Sequence, residues 1–200
     1  MLTLTLLGRF QATLDTHAEP LRFPTQKAGA LLAFLALRDD RVTRDALATL
    51  LWRDVPQAQG RHSLRQELTH IRTALGPSAA VYLHADRSTI GLNRAHIQVD
   101  AERLIELVAR HTPESLREAC VLYRGELLAG IRTREQAFDL WLDSTRADIN
   151  RLATIALEYC LDEATKSGDT ATAFRLATQI VAIDSTNETA QRRLMALHGA

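Results

Sequence analysis

Apolar residues recur at Leu64, Leu68, Ile71 and Leu75, spaced i, i+4, i+7 and i+11. At about 100° per residue they fall in one narrow stripe, which predicts an amphipathic helix over Gln57–Leu75 with one buried face. The opposite face carries His62, Gln66, Thr69 and Thr73, flanked by Arg65 and Arg72, and the helix's one carboxylate, Glu67, sits nearer the buried side. A solvated helix face ordinarily mixes Glu with Lys. This one instead offers groups that bond to base edges and phosphates: Arg to guanine, Gln to adenine, Thr to phosphate or a thymine methyl.

The remaining pattern places that helix third in an α+β domain. Alternation predicts short strands at Leu2–Leu7 and Arg9–Leu14, broken near Gly8, with a turn at 17–20 and a third strand at Leu21–Phe23. These three would form an antiparallel N-terminal sheet. Thr25 caps a helix running to about Leu37, with Ala28, Leu31, Leu32 and Leu35 as its buried stripe. Thr43 caps a shorter one lined by Leu47, Leu50, Leu51 and Trp52. Gly76-Pro77 ends the Gln57–Leu75 helix. Ala80–His84 and Ser88–Leu92, alternating around Ala85-Asp86-Arg87, predict a β-hairpin, and Ala95–Val99 one more extended segment. Three helices followed by a hairpin is the order of a winged helix, in which the third helix enters the major groove and the hairpin is the wing.

From Asp100 the pattern is helical. Asp100 caps a helix to about Arg110, and Glu114–Tyr123 makes the next. Gly125 and Gly130 bracket a tight loop. A long helix covers about Glu135–Lys166, with Phe138, Trp141, Leu142, Ile149, Leu152, Ile155, Ala156 and Tyr159 on its apolar side. Thr170–Ile183 and Asn187–Leu197 follow. Helix pairs spaced roughly 30–40 residues apart predict tetratricopeptide-like packing. The expected architecture is therefore an α+β winged helix over 1–99 and an all-α, tetratricopeptide-like domain over 100–200.

Charge sharpens this division. The net charge is zero. Residues 1–99 nevertheless hold 12 Arg and Lys against 8 Asp and Glu, while residues 100–200 hold 12 against 16. A mildly basic half joined to an acidic half fits a nucleic-acid-binding domain followed by a protein-interaction domain. No apolar run approaches the roughly 20 residues that span a bilayer, and the N-terminus lacks a signal-peptide pattern, so a cytoplasmic location is the default. Cys120 and Cys160 stand apart from any CxxC or His cluster and read as structural thiols. No paired carboxylates, Ser-His-Asp set or metal-ligand spacing points to catalysis or to a cofactor; His62 and His70 lie two helical turns apart and make no ligand pair.

Within the predicted recognition helix, Arg65, Gln66 and Thr69 lie on the outward arc and are the candidates for base contact, with His62 able to serve bases or phosphates. Arg61, Arg72 and Thr73 flank that arc as phosphate candidates. Thr43 marks a helix N-terminus whose free N–H groups can take a phosphate, and Arg87 sits near the wing tip. Lys27 and Arg41 are further phosphate candidates. Phe138 and Trp141 read as core, and Arg146 with Asp148 as a surface or interface pair.

Several stretches in order carry a family likeness. LTLLGRFQATL, LRFPTQKAGALLAFLAL, VTRDALATLLW and RHSLRQELTHIRTALG resemble the OmpR-like winged helix of bacterial activators of the antibiotic-regulatory-protein type. YRGELLAG and FDLWLDSTRADINRL are similar to the bacterial transcriptional activator domain that follows it in the same family. The resemblance implies a DNA-binding transcription regulator, an activator, whose helical domain packs against the winged helix and helps a homodimer bind direct repeats near a promoter, with RNA polymerase a further candidate partner. Relatives commonly continue beyond the position of Ala200, so a short member or a part of a longer one is expected. No GxxxxGK[ST] phosphate loop is present. Two other classes share these elements: a helical-repeat interaction module whose first domain has lost DNA binding, and the regulatory front end of a longer multidomain protein.

Overall fold

Alternation at the N-terminus builds β1 (Leu2–Thr5) and β2 (Gln11–Leu14), which pair antiparallel with Leu2 opposite Leu14 and Leu4 opposite Ala12, all four buried. The third strand of this sheet is not Leu21–Phe23. It is Ile97–Val99, which pairs parallel with the other edge of β1, Leu4 opposite Val99. Pro20 and Pro24 bracket the 21–23 stretch and supply no N–H to a ladder. That stretch keeps one backbone bond, Leu21 N–H to Ala12 O at 2.7 Å, and a ring contact between Phe23 and Phe10. The computed structural model describes residues 1–17 and 19–198, so the expected turn at 17–20 lies partly outside the described residues.

Helix α1 (Gln26–Ala36) is capped by Thr25, whose hydroxyl oxygen accepts from the Ala28 N–H. More than a stripe of it is buried: every residue from Ala28 to Ala36 is inside. Small residues at Ala28, Gly29, Ala30, Ala33 and Ala36 let neighbours close on all sides. After β3 (Val42–Thr43) comes α2 (Arg44–Leu51), capped by Thr43. Helix α3 occupies Gln57–Leu75. It stops at Gly76, which adopts φ 64°, a left-handed angle that favours glycine, and returns its N–H to the last carbonyls. Residues expected as the start of the hairpin coil first into a single turn, α4 (Ala79–Tyr82). The hairpin itself is β4 (Leu83–Ala85) and β5 (Thr89–Leu92), and β3 joins its free edge, Val42 opposite Ile90. The parallel strand Ile97–Val99 is β6.

The compact units differ from a division at residue 99. The first comprises Met1–Asp100 together with Leu127–Thr145; the second comprises Ala101–Glu126 and the chain from Arg146 onward. Backbone pairing brings the later segment back: Leu127 bridges to Leu7, Leu128 N–H donates to Leu6 O at 2.8 Å, and Ala129 N–H donates to Gly8 O at 2.8 Å. The expected tight loop or short turn is present at Leu128–Ile131, where Ile131 N–H donates to Leu128 O at 3.1 Å and Leu128 and Gly130 adopt φ 53° and 85°; the bridge of Leu127 to Leu7 just before it was not expected. Asp100, expected as a cap, aims its carboxylate at the N–H groups of Leu6 and Leu7 at 2.7 and 3.1 Å. Phe138 is fully buried, and half-buried Trp141 meets Phe138 and the edge of Phe34.

The second unit is helical among its described residues. It contains α5 (Asp100–Arg110, from Ala101), α6 (Pro113–Leu122), the greater part of α7 (Gln136–Ser167), α8 (Thr170–Ile183) and α9 (Glu188–His198). A capping box at Thr112 and Ser115 starts α6, and Asp169 caps α8. Arg117 forks onto Glu163 at 2.6 and 2.8 Å, tying α6 to α7. Arg146 and Asp148 do not pair. Two apart on a helix, they point in different directions; Arg146 meets Glu126 and Asp148 meets Arg151. The thiols of Cys120 and Cys160 are free, the first buried and the second partly so. No helix among the described residues is long and apolar enough to cross a membrane.

Because Phe138 completes the first unit's core, Phe138→Ala should destabilise that unit by about 3–5 kcal/mol. Both tryptophans of the chain, Trp52 and Trp141, lie in that unit, so urea unfolding followed by Trp fluorescence reports it directly. An unchanged midpoint would show that the 127–145 segment is dispensable there.

Candidate nucleic-acid interface

Packing sets the rotation of α3. Leu64, Leu68, Ile71 and Leu75 are at most 1% exposed. Glu67 is buried beside them, and its Oε2 accepts from the Thr25 hydroxyl at 2.5 Å and lies 3.2 Å from His70 Nδ1. The helix's single carboxylate therefore faces the fold. His62, Arg65, Gln66, Thr69, Arg72 and Thr73 are all exposed. The Thr69 hydroxyl donates back to Arg65 O at 3.0 Å, leaving its oxygen free to accept.

Alongside α3 runs a groove of about 1030 Å³ whose walls are the N-terminus of α2, the flank of α3 that carries Arg61, Leu64, Arg65, Leu68 and Arg72, and the β4–β5 turn. Five arginines line it, at 44, 61, 65, 72 and 87, against two aspartates, 45 and 86. Thr43, Arg61, Arg65, Arg72 and Arg87 of the sequence candidates meet here; His62, Gln66, Thr69 and Thr73 lie on the exposed face of α3 outside its lining. Among the described residues, the side chains of Arg65, Arg72 and Arg87 make no hydrogen bond or ion pair.

The two aspartates are already engaged. Asp45 takes Arg61 in a fork at 2.6 and 2.8 Å. The bond from Arg61 holds the Asp45 carboxyl below the usual carboxylate range, and Asp45 raises the Arg61 guanidinium in turn. Asp86 accepts from the N–H groups of Thr89 and Ser88, both at 2.7 Å, and from both hydroxyls. Those bonds, Thr89's N–H foremost, hold its carboxyl far below the usual range. Arg61 is thus a paired cation rather than a free one.

Three phosphate candidates are already engaged, Lys27 inside the fold and Arg41 and Thr43 at its surface. Lys27 donates to Leu51 O at 2.8 Å and to Glu135 at 2.5 Å, and sits over the Trp52 ring. Its ammonium is not free for a phosphate. Arg41 reaches Asp86 at 3.4 Å. Thr43 uses its oxygen to cap α2, accepting from Ala46 N–H at 3.2 Å. Arg44 was not singled out from the sequence; its position directly after the Thr43 cap was the available signal. Its Nε donates to Asp86 O at 2.8 Å while the side chain lines the groove. No group of three or more His, Cys, Asp or Glu among the described residues could hold a metal ion.

The first unit thus sets a basic groove beside three helices and a paired hairpin, and a helical unit follows it in the chain. The family model described as the bacterial transcriptional activator domain matches residues 94–198. The chain belongs to that family, one of transcriptional regulators. It is similar to the transcriptional regulatory protein EmbR of Mycobacterium tuberculosis and of Mycobacterium bovis, 30% identical over 146 residues. That alignment takes in 64% of this chain and 36% of each relative, so the chain spans about a third of their length. Its fold is similar to that of Mycobacterium tuberculosis EmbR solved in complex with a low affinity phosphopeptide, with TM-score 0.69 and 22% identity over 98% of this chain and 54% of that one.

The Asp45–Arg61 pair is exposed, so Asp45→Asn should leave the unfolding midpoint essentially unchanged. It frees Arg61 and removes a negative charge from the groove. Binding to a random-sequence duplex should tighten, with the slope of log K against log salt steeper by about one. Asp45 has a lowered pKa in the fold, so the pair's contribution is present above the unfolded pKa of Asp45 and is lost only as pH falls through the folded one. Wild-type binding should therefore show no Asp45 step at neutral pH. Equal salt slopes for the two proteins would place Arg61 away from DNA.

Proposed function

We propose that this chain is a sequence-specific DNA-binding transcription regulator, an activator, whose first unit is an OmpR-like winged helix. In this reading α3 enters the major groove, the β4–β5 hairpin is the wing, and the groove beside α3 receives a phosphate backbone. One observation carries it: the burial of Glu67 leaves an outward arc on α3 without a carboxylate, continuous with the unpaired guanidinium groups of Arg65, Arg72 and Arg87. Arg65 and Gln66, with Thr69 and His62, read base edges. Arg72, Thr73, Arg87 and the Thr43 end of α2 hold phosphates, joined by Arg61 when it leaves Asp45. The helical domain mediates homodimer contacts on direct repeats, with RNA polymerase a further partner, and the setting is cytoplasmic. Membership of the activator-domain family supports this reading, and the name of the EmbR relatives is consistent with it.

Selection of bound duplexes from a random pool tests the proposal. A winged-helix dimer should return a repeated half-site with centres about one helical turn apart. Arg65→Ala or Gln66→Ala should then relax preference at one base position per half-site by about 1–3 kcal/mol in competition assays. Arg72→Ala should weaken all sequences alike. Recovery of no common sequence would sink the proposal, and wild-type preference in both α3 variants would move the reading elsewhere in the unit.

A further inference from the structure

The hairpin turn is built more firmly than a three-residue solvent loop requires. Asp86 closes it from within: Oδ1 accepts from Ser88 N–H at 2.7 Å, Thr89 N–H at 2.7 Å and the Ser88 hydroxyl at 3.0 Å, and Oδ2 accepts from the Thr89 hydroxyl at 2.9 Å. Asp86 N–H donates to Thr89 O at 3.0 Å. The turn is also fastened from outside. Arg44 N–H donates to Ser88 O at 2.9 Å, Arg44 Nε donates to Asp86 O at 2.8 Å, and Arg41 reaches Asp86 Oδ2 at 3.4 Å. Backbone or side-chain bonds thus hold Asp86 and Ser88 on both sides of Arg87. Arg87 is the residue between them, exposed and lining the same groove as Arg65 and Arg72.

We infer that Asp86 is a positioning residue for DNA binding: it fixes the wing turn against the start of α2 so that Arg87 meets the phosphate backbone already ordered. The inference rests on the DNA-binding reading above. Its physical content is that a long, flexible cation loses entropy on binding, and a rigid backbone under it reduces that loss. Arg41 and Arg44 take part by holding the turn from the side of β3 and α2.

The sign of one effect separates this from a bystander role. Asp86 is an anion lining a groove meant for a polyanion. If it were only a solvated surface charge, Asp86→Ala would tighten duplex binding by removing repulsion. As a positioning residue it does the reverse. Asp86→Ala should bind the selected duplex roughly three- to tenfold more weakly, with a salt slope about one unit shallower, like Arg87→Ala. The double variant should be no weaker than Arg87→Ala alone, since both act through one contact. Asp86→Asn keeps an oxygen facing the Ser88 and Thr89 N–H groups and should recover most of the affinity.

The test combines salt titrations of these four variants of the full chain with amide hydrogen exchange in the free protein. Faster exchange at Ser88 and Thr89 in Asp86→Ala, restored in Asp86→Asn, supports the clamp without any DNA present. Unchanged exchange there overturns it. Wild-type binding with equal or tighter binding by Asp86→Ala overturns the positioning role alone, whereas a wild type that binds no duplex overturns the DNA reading and this role together.

Discussion

The rotation of α3 about its own axis decides what this surface can do. Four apolar residues inside hold it, each worth about 1.5–3 kcal/mol when buried. The bond from the Thr25 hydroxyl to Glu67, a hydrogen bond to a charged group, is worth about 1.5–3 kcal/mol. The stripe therefore outweighs the polar bond in setting the rotation. The polar bond settles something else. It gives the helix's one carboxylate a partner inside the fold, and the same threonine caps α1. A helix turned by one residue would expose leucine and present a negative charge to the groove.

The core behind that helix is finished by residues far along the chain. The segment matched by the activator-domain family begins at residue 94. Its β6, and the stretch from Leu127 to Thr145, belong to the same compact unit as α1 and α3. Lys27 is the clearest junction. From α1 it reaches the last carbonyl of α2, the Trp52 ring where the chain leaves α2, and Glu135 of the returning segment. A lysine on a predicted DNA-binding domain is thus a structural cation, tying the segment to the approach of α3. Within the family-matched region, β6 and the 127–145 segment share a compact unit with the basic groove, so a change in that segment reaches the groove through packing.

Local patterns were legible and distant pairings were not. The limits of α3 and α8 follow from periodicity and from Gly76 and Asp169 at their ends. The hairpin was visible too, although its first residues coil into α4 because Ala79 and Ala80 favour a helical turn. The parallel pairing of Ile97–Val99 with β1 joins residues more than ninety apart, and no local signal distinguishes that edge from the Leu21–Phe23 stretch. The return of Leu127 to Leu7 was hidden for the same reason: YRGELLAG reads locally as a tight turn between glycines. Among the site residues, exposure of Arg65, Gln66 and Arg72 followed from the leucine stripe. The Asp45–Arg61 fork and the Asp86 clamp did not, because each depends on which elements the fold sets side by side.

Methylation interference on the selected duplex tests the central claim, that the outward arc of α3 reads the major groove, most directly. Dimethyl sulfate places a methyl group on guanine N7, in the major groove where an arginine would bond, and on adenine N3 in the minor groove. Methylated guanines within each half-site should be excluded from the bound fraction, and Arg65→Ala should lift the exclusion at one of them. Interference confined to adenine N3, or N7 exclusion unchanged in every α3 variant, would contradict the account.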